Sequence, residues 1–362
     1  MNGISKFHDI KENNMYNNEL LFMTPFLKEV LWGGTRLQEK YGYKSDSEHI
    51  GEAWVVSANR NGESRVLDGH FKGMTLSELW KMQPELFGHH SSVGSPENPE
   101  NGSCKDAYAS CSQKTANIAK SDSFPLLVKL IYARDNLSIQ VHPDDDYAYV
   151  HENGGSGKTE CWYIADCEEG ADIIIGHTAR NKEELREMVT NGEWDKLLRV
   201  IPIHKGDFFY IPSGTVHAIR KGTLLLETQQ NCDLTYRLYD YGRLQNGKPR
   251  ELHIEKAIDV ITCPSENDTF ANAYAASSTD TSEGQAPEHT ELLKCRYFSV
   301  DKYLVKDKLS ITQNHSFLIV DVLEGSGTVD GIPVRSGDNF IAPYNYGELH
   351  FEGDITLITS HI

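Results

Sequence analysis

Leu137-Ser138-Ile139-Gln140-Val141-His142 alternates strictly between apolar and polar residues. Successive side chains of an extended strand point to opposite faces, so Leu137, Ile139 and Val141 turn one way and Ser138, Gln140 and His142 the other. Gln140 and His142 therefore share a face. Lys158-Thr159-Glu160-Cys161-Trp162 has the same period and groups Lys158, Glu160 and Trp162. A third segment, Asp207-Phe208-Phe209-Tyr210-Ile211-Pro212-Ser213-Gly214-Thr215-Val216-His217-Ala218, reads as a strand, a Pro-Ser-Gly turn and a second strand that opens on a histidine. These periods predict a mostly β body, and the polar faces they create need a reason.

Two imidazoles, a carboxylate and an amide form a ligand set for a borderline divalent ion. Zinc takes His nitrogen and Glu oxygen in catalytic sites and keeps a position open, so Zn2+, one per chain, is the first expectation; iron, cobalt or manganese fills the same set. Taken singly, each residue has a plainer role: His142 as a hydrogen-bonded strand residue, Gln140 as a surface amide, Glu160 as a solvated carboxylate. His217 weighs against that reading, because a hairpin that carries a histidine into a barrel interior is the usual way such a site gains a distant ligand. Thiolate sites are disfavoured. None of the seven cysteines falls in a Cys-x-x-Cys pair, and Cys104 to Cys111 and Cys161 to Cys167 are too widely spaced.

The 362 residues are enough for a large core and too many for one small domain. A net charge of −18, from 35 basic and 53 acidic residues, repels nucleic acid, anionic membranes and phosphorylated sugars alike. The expected partner is a small molecule, with no nucleic acid and no membrane, and the chain is a monomer or homodimer. A phosphorylated ligand needs placed cations against this background. The N-terminal residues contain no apolar run of signal-peptide length, and no stretch is long enough to cross a bilayer, which makes the cytoplasm the expected location. Reduced thiols fit that setting, where the acceptor pattern Asn101-Gly102-Ser103 goes unused.

Residues 1–22 are polar and Asn-rich and read as a loose leader. Residues 23–262 form the first folded part and 263–362 a second. Residues 91–123, rich in Ser, Gly, Pro and Asn and without periodicity, read as a surface insertion. Ile50 to Ser57 reads as an inner strand. Thr75-Leu76-Ser77-Glu78 has capping-box spacing, with Leu79, Met82 and Leu86 following at helical intervals, and predicts about three helical turns. Asn181-Lys182-Glu183-Glu184 repeats the signal, and 251–261 is a third helix candidate. A faint internal repeat joins the two parts. Gly206-Asp207, Ile211-Pro212 and His217 recur as Gly337-Asp338, Ala342-Pro343 and Glu348 at the same offsets, so the second copy has the scaffold with a glutamate in the histidine's place.

Four segments in register resemble the signature segments of type I mannose-6-phosphate isomerases: Gln140-Val141-His142-Pro143-Asp144, Gly157-Lys158-Thr159-Glu160-Cys161-Trp162-Tyr163, Pro212-Ser213-Gly214-Thr215-Val216-His217-Ala218 and Thr235-Tyr236-Arg237-Leu238-Tyr239-Asp240. The likeness runs from about Thr24 to the C-terminus, apart from the interior insertion. It implies a cupin fold, two tandem jelly-roll β-barrels with helical insertions, of which the second lacks the metal site. It implies Gln140, His142, Glu160 and His217 as metal ligands. The reaction implied is the interconversion of mannose 6-phosphate and fructose 6-phosphate through a cis-enediol or enediolate.

Such a reaction needs groups that move protons and hold developing negative charge. Lys158 shares the face of Glu160, and a dication beside it would depress its pKa; its plainer role is a lysine snorkelling to solvent. Arg237 shares a strand face with Thr235 and Tyr239 and can clamp an enediolate or phosphate, or else pair with Asp240. Glu227, which ends the apolar run Leu224-Leu225-Leu226, resembles an acid of the family that orients Lys158 or relays a hydroxyl proton. The carbon base stays open among Lys158, Glu227 and a metal-bound hydroxide. For the phosphate the candidates are Lys129, Arg134, Lys158 and Ser138, followed by Lys28 and Arg36. The rival reading is a non-catalytic sugar- or metabolite-binding protein with the same two barrels.

Overall fold

The computed structural model describes residues 19–88, 123–265 and 288–362. Most of the 91–123 insertion, Cys104, Cys111 and the leader up to 18 lie outside them. Strands dominate. A six-stranded sheet runs in the order Phe208–Ile211, Glu160–Cys167, Thr223–Gln230, Leu126–Tyr132, Ile50–Val56, Phe26–Gly34, and a five-stranded sheet in the order Leu198–Pro202, Asp172–His177, His217–Ile219, Ile139–Val141, Tyr236–Tyr239. Ile131, Trp162, Ile164 and Leu225 of the first sheet pack with Leu137 and with Ile173, Ile175 and Ile219 of the second in one buried cluster, so the two sheets face each other. The mostly β expectation holds in this form.

The C-terminal part is built on long antiparallel strands, Ser299–Gln313, Leu318–Val329 and Gly347–His361, in an eight-stranded sheet. The chain enters that sheet early: Leu21 and Phe22 pair with Ile341 and Phe340. One face of the sheet buries Leu318, Val320, Phe340 and Leu357 around its own core. Its other face supplies Phe298, Ile319, Leu323, Ile341 and Ile358 to a seam shared with Val128, Leu130, Tyr163, Phe208 and Leu226 of the six-stranded sheet. Packed this way, the two parts bury apolar faces that would otherwise meet water.

The repeat read from the Gly-Asp pairs is a repeat of strand register. Phe208 pairs with Tyr163 and Ile211 with Glu160; Asn339 pairs with Asp321 and Ala342 with Leu318. Leu318 thus stands where Glu160 stands in the first part, and Glu348 at the offset of His217 is exposed near the start of strand Gly347–His361.

The helices sit on the first part and are shorter than their patterns suggest. The capping box at Thr75 forms in both directions, but its helix covers Leu76–Met82 only, because Gln83 leaves helical geometry and Pro84 opens a separate 3-10 turn, Pro84–Phe87. Asn181 caps Lys182–Thr190, and the third helix is Ile254–Val260. Two helices escaped the sequence reading, Arg36–Tyr41 and Asp145–His151, the latter capped by the Asp144 side chain on the Tyr147 N–H. Among the described residues no helix is long and apolar enough to cross a membrane, and five cysteines are free thiols.

Candidate metal centre and cleft

The facing sheets carry the polar groups in two rows. On the five-stranded sheet, Ile175 pairs with His217, His217 with Gln140 and Gln140 with Arg237. On the six-stranded sheet, Trp54, Lys129, Glu227 and Trp162 are successive cross-strand partners, and Gln229 opposite Glu160 continues the face two residues on. The alternation that groups Gln140 with His142 is what brings both toward Glu160. Two glycines make the local geometry possible. Gly157 lies against the Asp144 and Asp145 backbone, where a Cβ would come within 2.5 Å, and this close approach lets the Lys158 N–H donate to Pro143 O at 3.0 Å. Gly214 takes φ +84° in the turn before His217.

His142, Glu160 and His217 are all buried and present ligand atoms within 4.8 Å of one another, the one such group among the described residues. Nε2 of His142 lies 3.5 Å from Glu160 Oε2, and Nε2 of His217 lies 3.3 Å from Glu160 Oε1. Each ring is oriented by its other nitrogen: His142 Nδ1–H donates to Leu234 O at 2.8 Å and His217 Nδ1–H to Thr215 O at 2.9 Å. With Nδ1 carrying the hydrogen, both Nε2 lone pairs face the carboxylate, the tautomer a metal-binding histidine requires. Burial holds the His142 imidazolium well below its usual range, with Lys158 and His217 adding to the effect, and burial brings His217 down to about 4. Neutral rings are available ligands. Gln140 sits beside them, its amide nitrogen 3.3 Å from His217 Nε2, and a half-turn about its terminal torsion offers the oxygen instead.

Glu160 supplies the test of fit. It is 0 % exposed, and neither oxygen meets a donor in hydrogen-bond geometry. The Lys158 ammonium lies 2.7 Å from Oε2 and is its charge partner. Burial, and then Glu227, push the Glu160 carboxyl up against the pull of Lys158. A fully buried carboxylate faced by two neutral imidazoles, with Lys158 as its nearest charge partner, fits a hard or borderline divalent cation.

The neighbouring charges differ from the expectation in two respects. Lys158 does not snorkel; it is 4 % exposed, and although burial opposes its charge, Glu160 at 2.7 Å and Glu227 at 4.0 Å raise its pKa. The depression expected of it belongs to a site that holds a dication; the protein's own groups act in the opposite direction. Glu227 is tied more closely to Lys129 than to Lys158: Lys129 Nζ donates to Glu227 Oε2 at 2.8 Å and to Gln229 Oε1 at 2.6 Å, and Trp162 Nε1 donates to Glu227 Oε1 at 3.1 Å. Burial works against the Glu227 carboxylate, but Lys129 and Lys158 outweigh it and hold its pKa down.

A cleft of about 950 Å³ opens over these groups, with Gln140, Glu227, Lys129 and Arg237 on its walls. Arg237 is not paired with Asp240, which instead binds Arg243 and Arg250, each at 2.5 Å. Its Nε donates to Ser138 Oγ at 3.3 Å and one terminal nitrogen to Glu251 O at 2.9 Å, leaving the guanidinium charge without a carboxylate partner among the described residues. Of the cations weighed for a phosphate, Lys28 and Lys129 line the cleft, as does Ser138. Arg36 pairs with Asp166 and Arg134 with Asp135, and neither lines it.

Residues 20–99 and 90–178 match the model of the phosphomannose isomerase type I catalytic domain, and residues 288–362 match the mannose-6-phosphate isomerase cupin domain. The mannose-6-phosphate isomerase ManA of Bacillus subtilis (strain 168) is 44% identical over 351 residues, spanning 95% of this chain and 99% of the relative. The chain belongs to the type I mannose-6-phosphate isomerase family. Its relatives include the mannose-6-phosphate isomerase of Streptococcus mutans, 42% identical over 95% of this chain and 98% of that protein. The crystal structure of mannose 6-phosphate isomerase from Bacillus subtilis superposes with a TM-score of 0.80, covering 95% and 99% of the two chains at 44% identity. A phosphomannose isomerase variant from Salmonella typhimurium shares the fold at 14% identity, with a TM-score of 0.70 over 94% and 99% of the chains. The family's β architecture with a cupin domain is therefore that of this enzyme.

Proposed function

We propose that this chain interconverts mannose 6-phosphate and fructose 6-phosphate, with one Zn2+ per chain held by His142, Glu160 and His217 and by Gln140 as fourth ligand. The observation that carries the reading is the convergence of two imidazole lone pairs on the buried Glu160 carboxylate, beside a cleft whose walls carry Lys129, Glu227 and Arg237. When bound, the ion supplies Lewis acidity toward the sugar oxygens. The isomerisation moves one hydrogen between C1 and C2, passes through a cis-enediol or enediolate and needs no redox cofactor.

The chain's own groups divide the rest of the work. Arg237, unneutralised on the cleft wall, offers paired donors to an enediolate or phosphate. Lys158, flanked by two carboxylates, is the donor to a substrate oxygen, and Glu227 on the cleft wall is the proton acceptor. Lys129 holds Glu227 in place. The architecture follows as two tandem jelly-roll barrels, a catalytic part over 23–262 and a second part over 263–362 without a metal site, with Leu21 and Phe22, expected in a loose leader over 1–22, paired instead into the second part's sheet. Free thiols support a cytoplasmic setting. A small-molecule sugar phosphate is the only partner required, in a monomer or homodimer.

Zinc-loaded protein incubated with mannose 6-phosphate is expected to form fructose 6-phosphate, read by a coupled assay. Saturable binding without any fructose 6-phosphate would transfer the reading to a sugar-binding protein.

A further inference from the structure

Trp54 lies in the inner-face row of the six-stranded sheet, 0 % exposed, directly opposite Lys129 in register. Its indole N–H donates to Glu52 Oε2 at 2.5 Å, which fixes the ring plane. The Lys129 ammonium is 5.3 Å from the ring centroid and the Lys28 ammonium 4.5 Å from it. Lys28 also lies 3.9 Å from Glu52 Oε2. From the cleft rim to the metal ligands the charges therefore alternate in sign: Lys28, Glu52, Lys129, Glu227, Lys158, Glu160. Trp54 is the link between the second and third of these.

An ammonium has three donors, and Lys129 uses two of them on Glu227 and Gln229. Those two bonds hold the head on Glu227, and the ring face beside it adds a further restraint against a swing of the long stem toward the open cleft. An aromatic face attracts an ammonium through its quadrupole, and more strongly where water is excluded, as it is at a 5 % exposed lysine. The direction of that attraction is set by the ring plane, and the ring plane by Glu52.

We propose that Trp54, oriented by Glu52, is a positioning residue that keeps the Lys129 ammonium on Glu227 and so keeps the Glu227 carboxylate aimed at the cleft. This rests on the isomerase reading given above, through the role of Glu227. Trp54→Leu removes the aromatic face; Glu52→Ala removes the acceptor that sets it; Glu52→Gln keeps an acceptor for the indole N–H while discarding the charge.

The test is steady-state kinetics of the metal-loaded full chain on mannose 6-phosphate, with metal content and thermal midpoint measured for each variant. Trp54→Leu is expected to lower kcat by about tenfold, the scale of one aromatic–cation contact in a desolvated site, with KM within about twofold and metal content unchanged. Glu52→Ala should do the same and Glu52→Gln should retain most of the parent kcat. Combined with Lys129→Met, Trp54→Leu should add nothing, because both act through one ammonium. Parent kcat in Trp54→Leu, equal damage from Glu52→Gln and Glu52→Ala, or additive losses in the double variant would overturn the proposal. Should Trp54→Leu not fold, the Glu52 pair decides alone. An inactive parent protein would instead refute the isomerase reading, so the two failures are separable.

Discussion

Each histidine of the triad commits Nδ1 to a backbone carbonyl, and this turns both Nε2 atoms toward Glu160, with Lys158 Nζ 3.2 Å from that of His142 and the Gln140 amide 3.3 Å from that of His217. His217→Ala removes a ligand and should lower both bound metal and turnover. Arg237→Ala should leave the metal in place while lowering kcat by about 10²–10³, the usual loss when one preorganised donor to a developing anion is removed; metal analysis beside the coupled assay separates the two variants. Equal turnover in Arg237→Ala and the parent would show that its guanidinium does nothing at the transition state. These residues were legible because strand period alone places Gln140 with His142 and Lys158 with Glu160. The Lys129–Glu227 pair was not, since its members are 98 positions apart and Glu227 follows an apolar run that gives no hint of a buried cation opposite. The pairing of Asp240 with Arg243 and Arg250 in place of Arg237 was equally hidden, because short sequence separation cannot show which arginine a turn directs at a carboxylate.

At the scale of elements, the six-stranded sheet lays buried cations and carboxylates in register across its strands, where breaking a pair costs more than forming it gains. Glu227→Ala should destabilise the fold by about 3–5 kcal/mol, because it leaves the Lys129 ammonium buried against Gln229 alone. Urea unfolding of the metal-free protein measures this, and replacing Lys129 as well by Met should recover much of the loss, since the uncompensated charge is then gone. Unchanged stability in Glu227→Ala would mean that the ammonium escapes to water. Helix starts were readable wherever a side chain caps them, as at Thr75 and Asn181. Arg36–Tyr41 was missed because Thr35 makes no capping bond to its backbone and the helix buries only Leu37 and Tyr41, too few positions for a period. Helix Asp145–His151 does carry a cap at Asp144, a signal that could have found it.

At the scale of the whole molecule, the two parts meet across an apolar seam that contains one ill-matched group. Asp321 faces the seam beside Ile319, Leu323 and Ile358; it is 0 % exposed, and neither carboxylate oxygen has a partner. Burial pushes its carboxyl up to about 8. The folded chain therefore keeps a proton that the unfolded chain releases above about pH 4, so this group's contribution to stability is full in acid and is lost as pH rises toward 8. Asp321→Asn should melt a little above the parent at about pH 5 and clearly further above it at about pH 8.5, and a difference independent of pH would show that Asp321 is solvated or paired. The repeat of register explains why the second part is quiet at its core: Leu318 and Val320 occupy the positions of Glu160 and Trp162 and pack with Phe340 and Leu357. That repeat could be read from two Gly-Asp turns, whereas the seam could not, since no local pattern states which faces of two sheets will meet. The central claim is that catalysis and metal reside in the first part together. Its most direct test is to strip the purified protein with a chelator, then titrate Zn2+ back while following conversion of mannose 6-phosphate to fructose 6-phosphate. Activity should vanish on stripping and return in full at one zinc per chain, whereas activity that persists in metal-free protein, or fails to return in zinc-loaded protein, would contradict the account.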